Sequence, residues 1–588
     1  MKSFLKYVLA TVVGIIVSTF ILIIFLTFII VSAVKQSSPS AEKEIKANSV
    51  LHISLDHQIT EKNENNPFNN LDIPGYRGVK SIGLDLILER ISLAKEDDNI
   101  KGIYLTPSIV STGFASLQTI REALKDFKTS GKFIYAYSDM YSQKAYYLAS
   151  VADSVFVNPQ GILDFRGLAS STVFMKEAFD KLGVEMQVVK VGTFKSAVEP
   201  FIRNDMSEPN KEQVNSFLNS IYNTFLLDIS SSRNLEVDSL KAIADRFAIR
   251  NAENAYEHNF VDGTVYKDEV LSVLKEKLDI DQEKKIPSVS LLSYNKKGKY
   301  SKEREQIAVL YAYGAIEDGE GMESNIGGDR ISRELRALRE DENVKAVVLR
   351  VNSPGGSALA SEVIWREVEL TKKEKPIVVS MGDYAASGGY YISAAADSIF
   401  AEKTTLTGSI GVFGIIPNFK KLMNEKLGIY FDNVKTGKFA AMGTDPTQPL
   451  TEEEKAIVQI NVNQIYDTFL QRVADGRGIS SAEVDSMGQG RVWTGEQAVE
   501  LGLVDDIGDL ERAISAAATK ADLEEYKIQK YPKETDPWSS FFKTGSDKIQ
   551  EAFMKNKMGE WGKHLETLKN ATGQTGVLAK MPYEVEIF

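Results

Sequence analysis

Three stretches of this chain carry residue types that can do chemistry together: a serine set between glycines, a lysine in apolar surroundings and a Gly-Gly turn. Thr407-Gly408-Ser409-Ile410-Gly411 follows a strand-like run, and the missing side chains beside Ser409 let a peptide backbone approach its oxygen. By itself that pattern better suits a turn-capping serine. The balance moves with Asn352-Ser353-Pro354-Gly355-Gly356-Ser357, which closes the run VKAVVLRV. A Gly355-Gly356 turn entering a helix offers free backbone N–H groups to a developing negative oxygen, and the N–H of Ile410 lies directly after the serine.

A hydroxyl needs a base to become a nucleophile. The chain has only His52, His57, His258 and His564, none of them between residues 304 and 530, so a local Ser-His-Asp set is excluded. Lysine serves where burial disfavours its charged form. Lys195 follows the strand-like MQVVKVG and is flanked by Phe194, Ala197 and Val198. Ser387 in AASGG opens a small-residue helix, where close packing accounts for it. No His, Cys, Asp or Glu cluster has metal-ligand spacing and no phosphate-binding loop is present, so no metal or cofactor is implied.

The elements that must position these residues occur twice. EDDNIKGIYL (96–105) repeats as EDENVKAVVL (340–349), and YYLASVADSVF (146–156) as YYISAAADSIF (390–400), both 244 residues apart. That offset places Phe165 opposite Ser409, and an offset of 245 places Ala440 opposite Lys195. Each copy therefore lacks what the other has. The Gly-Gly turn is kept in the copy with Ser409; the first copy reads LTPSIVSTG there. Asp153 and Asp397 recur in both copies, which points to structure. Within each copy β-branched runs alternate with helical patterns, the rhythm of a mostly parallel, buried sheet.

The 43% hydrophobic and 26% charged composition is that of a globular protein, and the net charge of −12 argues against a nucleic-acid partner. Residues 7–34 hold no charge and are long enough to span a bilayer, for which about 20 residues suffice. Lys2 and Lys6 before the span favour a cytoplasmic N-terminus. The expected partition is an anchor and tether (1–46), a first module supplying the lysine (47–295), a second supplying the serine and oxyanion donors (304–530), and an amphipathic extension (531–588).

VNSPGGSALASE, DYAASGGYYISAAAD, TGSIGVFG and VGTFKSAVEPF together resemble the signal peptide peptidase A family in its long, two-module protease IV form. The resemblance implies an α/β fold of tandem Clp-protease/crotonase-like modules and a dyad of Ser409 as nucleophile and Lys195 as general base. It also implies hydrolysis of signal-peptide remnants at the bacterial inner membrane on its periplasmic side, in a homo-oligomer, expected to be a tetramer. Two rivals remain in sequence terms: a crotonase-like acyl-CoA enzyme, which leaves the Ser/Lys division unexplained, and a peptide-binding scaffold, which has no use for all three features.

Overall fold

The computed structural model describes residues 45–63, 81–296, 303–322, 324–533 and 576–581, together with Ile587 and parts of 6–21. Among the described residues no helix is long and apolar enough to cross a membrane; most of the span expected at 7–34, and most of the amphipathic extension expected at 531–588, lie outside them.

The first sheet is built from β1 (Ser49–Ile53), β2 (Ile100–Leu105), β3 (Phe133–Tyr141), β4 (Ser154–Leu163), β6 (Gly263–Thr264) and β7 (Ser288–Ser290), in the order β6-β4-β3-β2-β1-β7; β5 (Glu185–Val191) leaves it. The second contains β8 (Gln306–Tyr313), β11 (Val344–Ser353), β13 (Ile377–Ala386), β15 (Leu406–Gly408), β17 (Val492–Thr494) and β19 (Lys527–Tyr531), ordered β17-β15-β13-β11-β8-β19, with β14 (Ser398–Ala401) and β18 (Asp506–Ile507) branching from β13. Nearly every residue of β11 is buried, as a parallel strand covered on both faces requires.

The repeat is visible in detail. A 26-residue helix, α2 (Glu208–Arg233), recurs 244 positions later as α6 (Glu452–Arg477). Ser207 caps the first and a Thr451/Glu454 capping box starts the second. Their final arginines fork onto matching carboxylates, Arg233 on Asp262 and Arg477 on Asp505. Asp153 accepts from the Ile134 N–H at 2.8 Å and Asp397 from the Ile377 N–H at 2.9 Å, so both aspartates are structural.

A third sheet joins the copies. It runs β10-β9-β12-β20-β16-β5, where β9 is Ile316–Glu317, β10 Ile326–Gly327, β12 Gly355–Ser357, β16 Val412–Asn418 and β20 Gly576–Lys580. β5 of the first copy pairs antiparallel with β16 of the second from Val191↔Val412 to Glu185↔Asn418. Further links tie the halves: Asp383 accepts from the Ser116 N–H and hydroxyl at the start of α1 (Phe114–Lys128), and buried Arg350 pairs with buried Glu61 at 3.0 Å.

Candidate active site

The β5–β16 ladder delivers the lysine. After β5 the chain turns at Gly192 (φ 106°), and the Phe194 N–H donates to the Gln489 carbonyl at 2.8 Å. Gln213 on α2 then clamps the loop, its side-chain N–H group donating to the Phe194 carbonyl at 3.0 Å and the Ser196 hydroxyl at 2.8 Å. Lys195 is fully buried, with its nitrogen 5.9 Å above the Phe413 ring. Gly490 (φ 78°) lies so near that a Cβ there would come within 2.6 Å of the Lys195 backbone nitrogen, so only glycine permits this approach.

Lys195 Nζ lies 3.1 Å from Ser409 Oγ, 3.0 Å from the Ser409 carbonyl oxygen and 2.9 Å from Ser387 Oγ. Burial alone holds the lysine well below its ordinary pKa. A buried amine without a carboxylate partner favours its neutral form, which is the form that accepts a proton. Ser409 has φ 50° directly after Gly408 at φ 74°, and its N–H is fixed by the Arg491 carbonyl at 2.7 Å. The structure thus brings together Lys195 and Ser409 from opposite copies.

In the first copy, Phe165 occupies the place aligned with Ser409 and packs edge-on against Phe260, ring centroids 4.7 Å apart. Ala440, aligned with Lys195, sits in an exposed turn and not after a strand. Of the expected oxyanion donors, the Gly355 N–H is engaged by Ser353 Oγ at 3.2 Å, and Ser353 in turn donates to the Gly314 carbonyl at 2.6 Å. Gly356 stands level with Ala579 of β20, and Ile410 has its side chain in the core with its N–H directly after Ser409.

Two features were missed by sequence reasoning. Ser387, read there as a packing residue, is a direct partner of Lys195. A signal existed: the offset of 244 aligns it with Gln143, so Ser387 too is confined to the copy that holds Ser409. The other is β20, which lies antiparallel to both β12 and β16 beside Gly356 and Phe413, with the Met581 N–H donating to the Pro354 carbonyl at 2.6 Å.

A Clp-protease-like α/β fold, doubled, with a buried lysine against a serine between glycines, defines a serine protease. The family model described as peptidase family S49 matches residues 126–281 and 369–524, and that described as Clp protease matches 301–405. Protease 4 of Haemophilus influenzae is 40% identical over 73% of this chain and 71% of its own length. Protease 4 of Salmonella typhi is 38% identical, covering 76% and 74%. The chloroplastic serine protease SPPA of Arabidopsis thaliana is 33% identical, covering 82% and 70%. The chain belongs to peptidase family S49.

Proposed function

We propose that this chain is a membrane-anchored Ser/Lys endopeptidase acting on extended, apolar peptides such as the signal-peptide remnants left after secretion, with its catalytic part on the periplasmic side of the inner membrane and its subunits in a homo-oligomer, a tetramer. The observation that carries the chemistry is a fully buried, carboxylate-free Lys195 within hydrogen-bond reach of two hydroxyls, Ser387 Oγ at 2.9 Å and Ser409 Oγ at 3.1 Å, of which Ser409 is the one read as nucleophile. Neutral Lys195 takes the Ser409 proton as the hydroxyl attacks a peptide carbonyl. The N–H groups of Gly356 and Ile410 hold the oxyanion, Lys195 returns the proton to the leaving amine, and water then hydrolyses the acyl-enzyme.

The preference for extended chains has support in β20. A five-residue strand of this same chain fits between β12 and β16, paired through its main chain, with Leu578 in a pocket lined by Phe179, Val198 and Phe413. Main-chain pairing reads no sequence, and side-chain pockets supply the selection.

The experiment is to incubate wild-type, Ser409→Ala and Lys195→Ala proteins with a synthetic signal peptide across pH 6 to 10. Both variants lose hydrolysis, and the wild-type rate rises with pH along a limb centred well below the roughly 10.4 of a free lysine, because only the neutral amine accepts the proton. Near wild-type turnover by Lys195→Ala at neutral pH overturns the lysine-base mechanism.

A further inference from the structure

A cavity of about 660 Å³ opens on the first copy, between α3 (Lys267–Lys277) and the face of the first sheet formed by β1, β2 and β3. It shares no residue with the Lys195 site. The second copy closes the same place. There α3 recurs 243 positions later as α7 (Leu510–Lys520), whose Ala513, Ala517 and Ala518 lie against Val309 and Val348 of the sheet. In the first copy the ladder pair Val309↔Val348 becomes His52↔Tyr104. Two residues further on, buried Tyr311 and Arg350 give way to Ser54 and Thr106, and Leu510 and Ala518 of α7 give way to Lys267 and Lys275. The cavity is thus the room of a phenol and a guanidinium, with lysines added around it.

Its lining is selective. Tyr104 is 6% exposed, and its hydroxyl has no hydrogen-bond partner among the described residues. Burial holds that phenol well above its ordinary pKa, so it keeps its proton and remains a donor in want of an acceptor. The acceptor has to be neutral. Asp139, held ionised by the Tyr137 hydroxyl at 2.8 Å and the Asn158 amide at 2.9 Å, stands close enough to Tyr104 to oppose a second negative charge there. His52 stacks on Tyr104, ring centroids 5.3 Å apart, and burial followed by Lys267 holds the imidazole below its ordinary pKa. Leu271, Leu274 and Ile286 add apolar wall. Lys267, Lys284 and Lys285 also line the cavity, and among the described residues their ammonium groups have no ion pair or hydrogen bond.

We propose that this cavity is a binding site for a short apolar peptide with a free C-terminal carboxylate, one of its amide carbonyls accepting from Tyr104 and its carboxylate meeting Lys267. The volume falls in the range of about 300–1,000 Å³ usual for small-ligand sites. A fatty acid brings the carboxylate and the apolar body but no neutral acceptor for Tyr104. Asp56 and Glu283 in the same lining suit the amide N–H donors that a peptide also carries.

The probe is N-acetyl-Leu-Leu with a free carboxylate, compared with its C-terminal amide and with decanoate, each titrated calorimetrically into the full chain as wild type, Tyr104→Phe and Lys267→Leu. The free acid binds wild type most tightly of the three. Tyr104→Phe weakens it about 3- to 10-fold, the worth of one neutral hydrogen bond, and Lys267→Leu weakens it at least about tenfold, that of a charged one. The thermal transition of Tyr104→Phe without probe does not fall, because that hydroxyl has no bond to lose. A benzophenone analogue of the dipeptide crosslinks within residues 267–288 in wild type. Equal affinity for the amide or for decanoate, unchanged affinity in either variant, or label confined to the cleft around Ser409 overturns the proposal. Since the two sites share no residue, none of these results touches the peptidase reading, which falls only if hydrolysis survives in Ser409→Ala.

Discussion

Glu402 follows β14 and is buried at the seam between the copies, 5% exposed, with its Oε1 accepting from the Thr119 hydroxyl of α1 at 2.8 Å. Burial pushes its carboxyl from 4.5 up to about 7, with the Thr119 bond opposing. The unfolded chain ionises this group near 4.5, so between that pH and about 7 the folded protein binds more protons than the unfolded one. Stability from this group is therefore fully present below 4.5, falls as pH rises toward about 7, and then levels off. At about 1.36 kcal/mol per pH unit the gap is worth about 3 kcal/mol. Glu402→Gln keeps the shape and the Thr119 contact and removes the ionisation. The two proteins should match at pH 4.5, and at pH 8 the glutamine form should be the more stable by up to about 3 kcal/mol, some 6–12 °C in the transition of the second module. Thermal unfolding of both proteins from pH 4.5 to 8 at constant ionic strength, taken as a difference at each pH, cancels the exposed carboxylates they share. A difference that is flat with pH would refute this account of a carboxyl held in a dry seam.

Two further outcomes follow from named contacts. Glu61→Ala strands Arg350 and Asn352, which Glu61 meets at 3.0 Å and 2.8 Å, and should cost about 3–5 kcal/mol, whereas replacing Glu61 and Arg350 together by methionine comes closer to neutral; equal losses in the single and double variants by calorimetry would contradict this. Leu578→Glu puts a charge into the pocket of Phe179 and Phe413 and expels β20 from the cleft. Because a tethered strand competes at roughly millimolar effective concentration, the apparent KM for an added peptide should then fall about tenfold, and an unchanged KM would show that β20 and substrate do not compete.

That Ser409 and Lys195 meet was legible because duplication left a record: a residue present in one copy and absent from its counterpart needs a reason. The doubled α/β architecture was legible from β-branched runs recurring at a fixed offset. The offset stopped being informative where the copies diverge in conformation, so Ala440 aligns with Lys195 in letters while standing in an exposed turn. The Ser387 contact was hidden because AASGG reads as a small-residue helix start, and neither its positive φ nor a partner 192 positions away is written locally. Gly355 shows the same limit. Its glycine is needed at φ 95°, but only the fold reveals that Ser353 already holds its N–H. β20 offered too little pattern, since five residues without alternation acquire meaning only from the groove that receives them.

A site divided between the copies also sets a timetable. Lys195 leaves the ribosome 214 residues ahead of Ser409, and β16, which must pair with β5 to bring them together, emerges later still. At about 5–20 residues per second that interval is roughly 10–40 s. Throughout it the growing chain carries Lys195 without Ser409 beside it, so the site cannot assemble before the second copy has emerged.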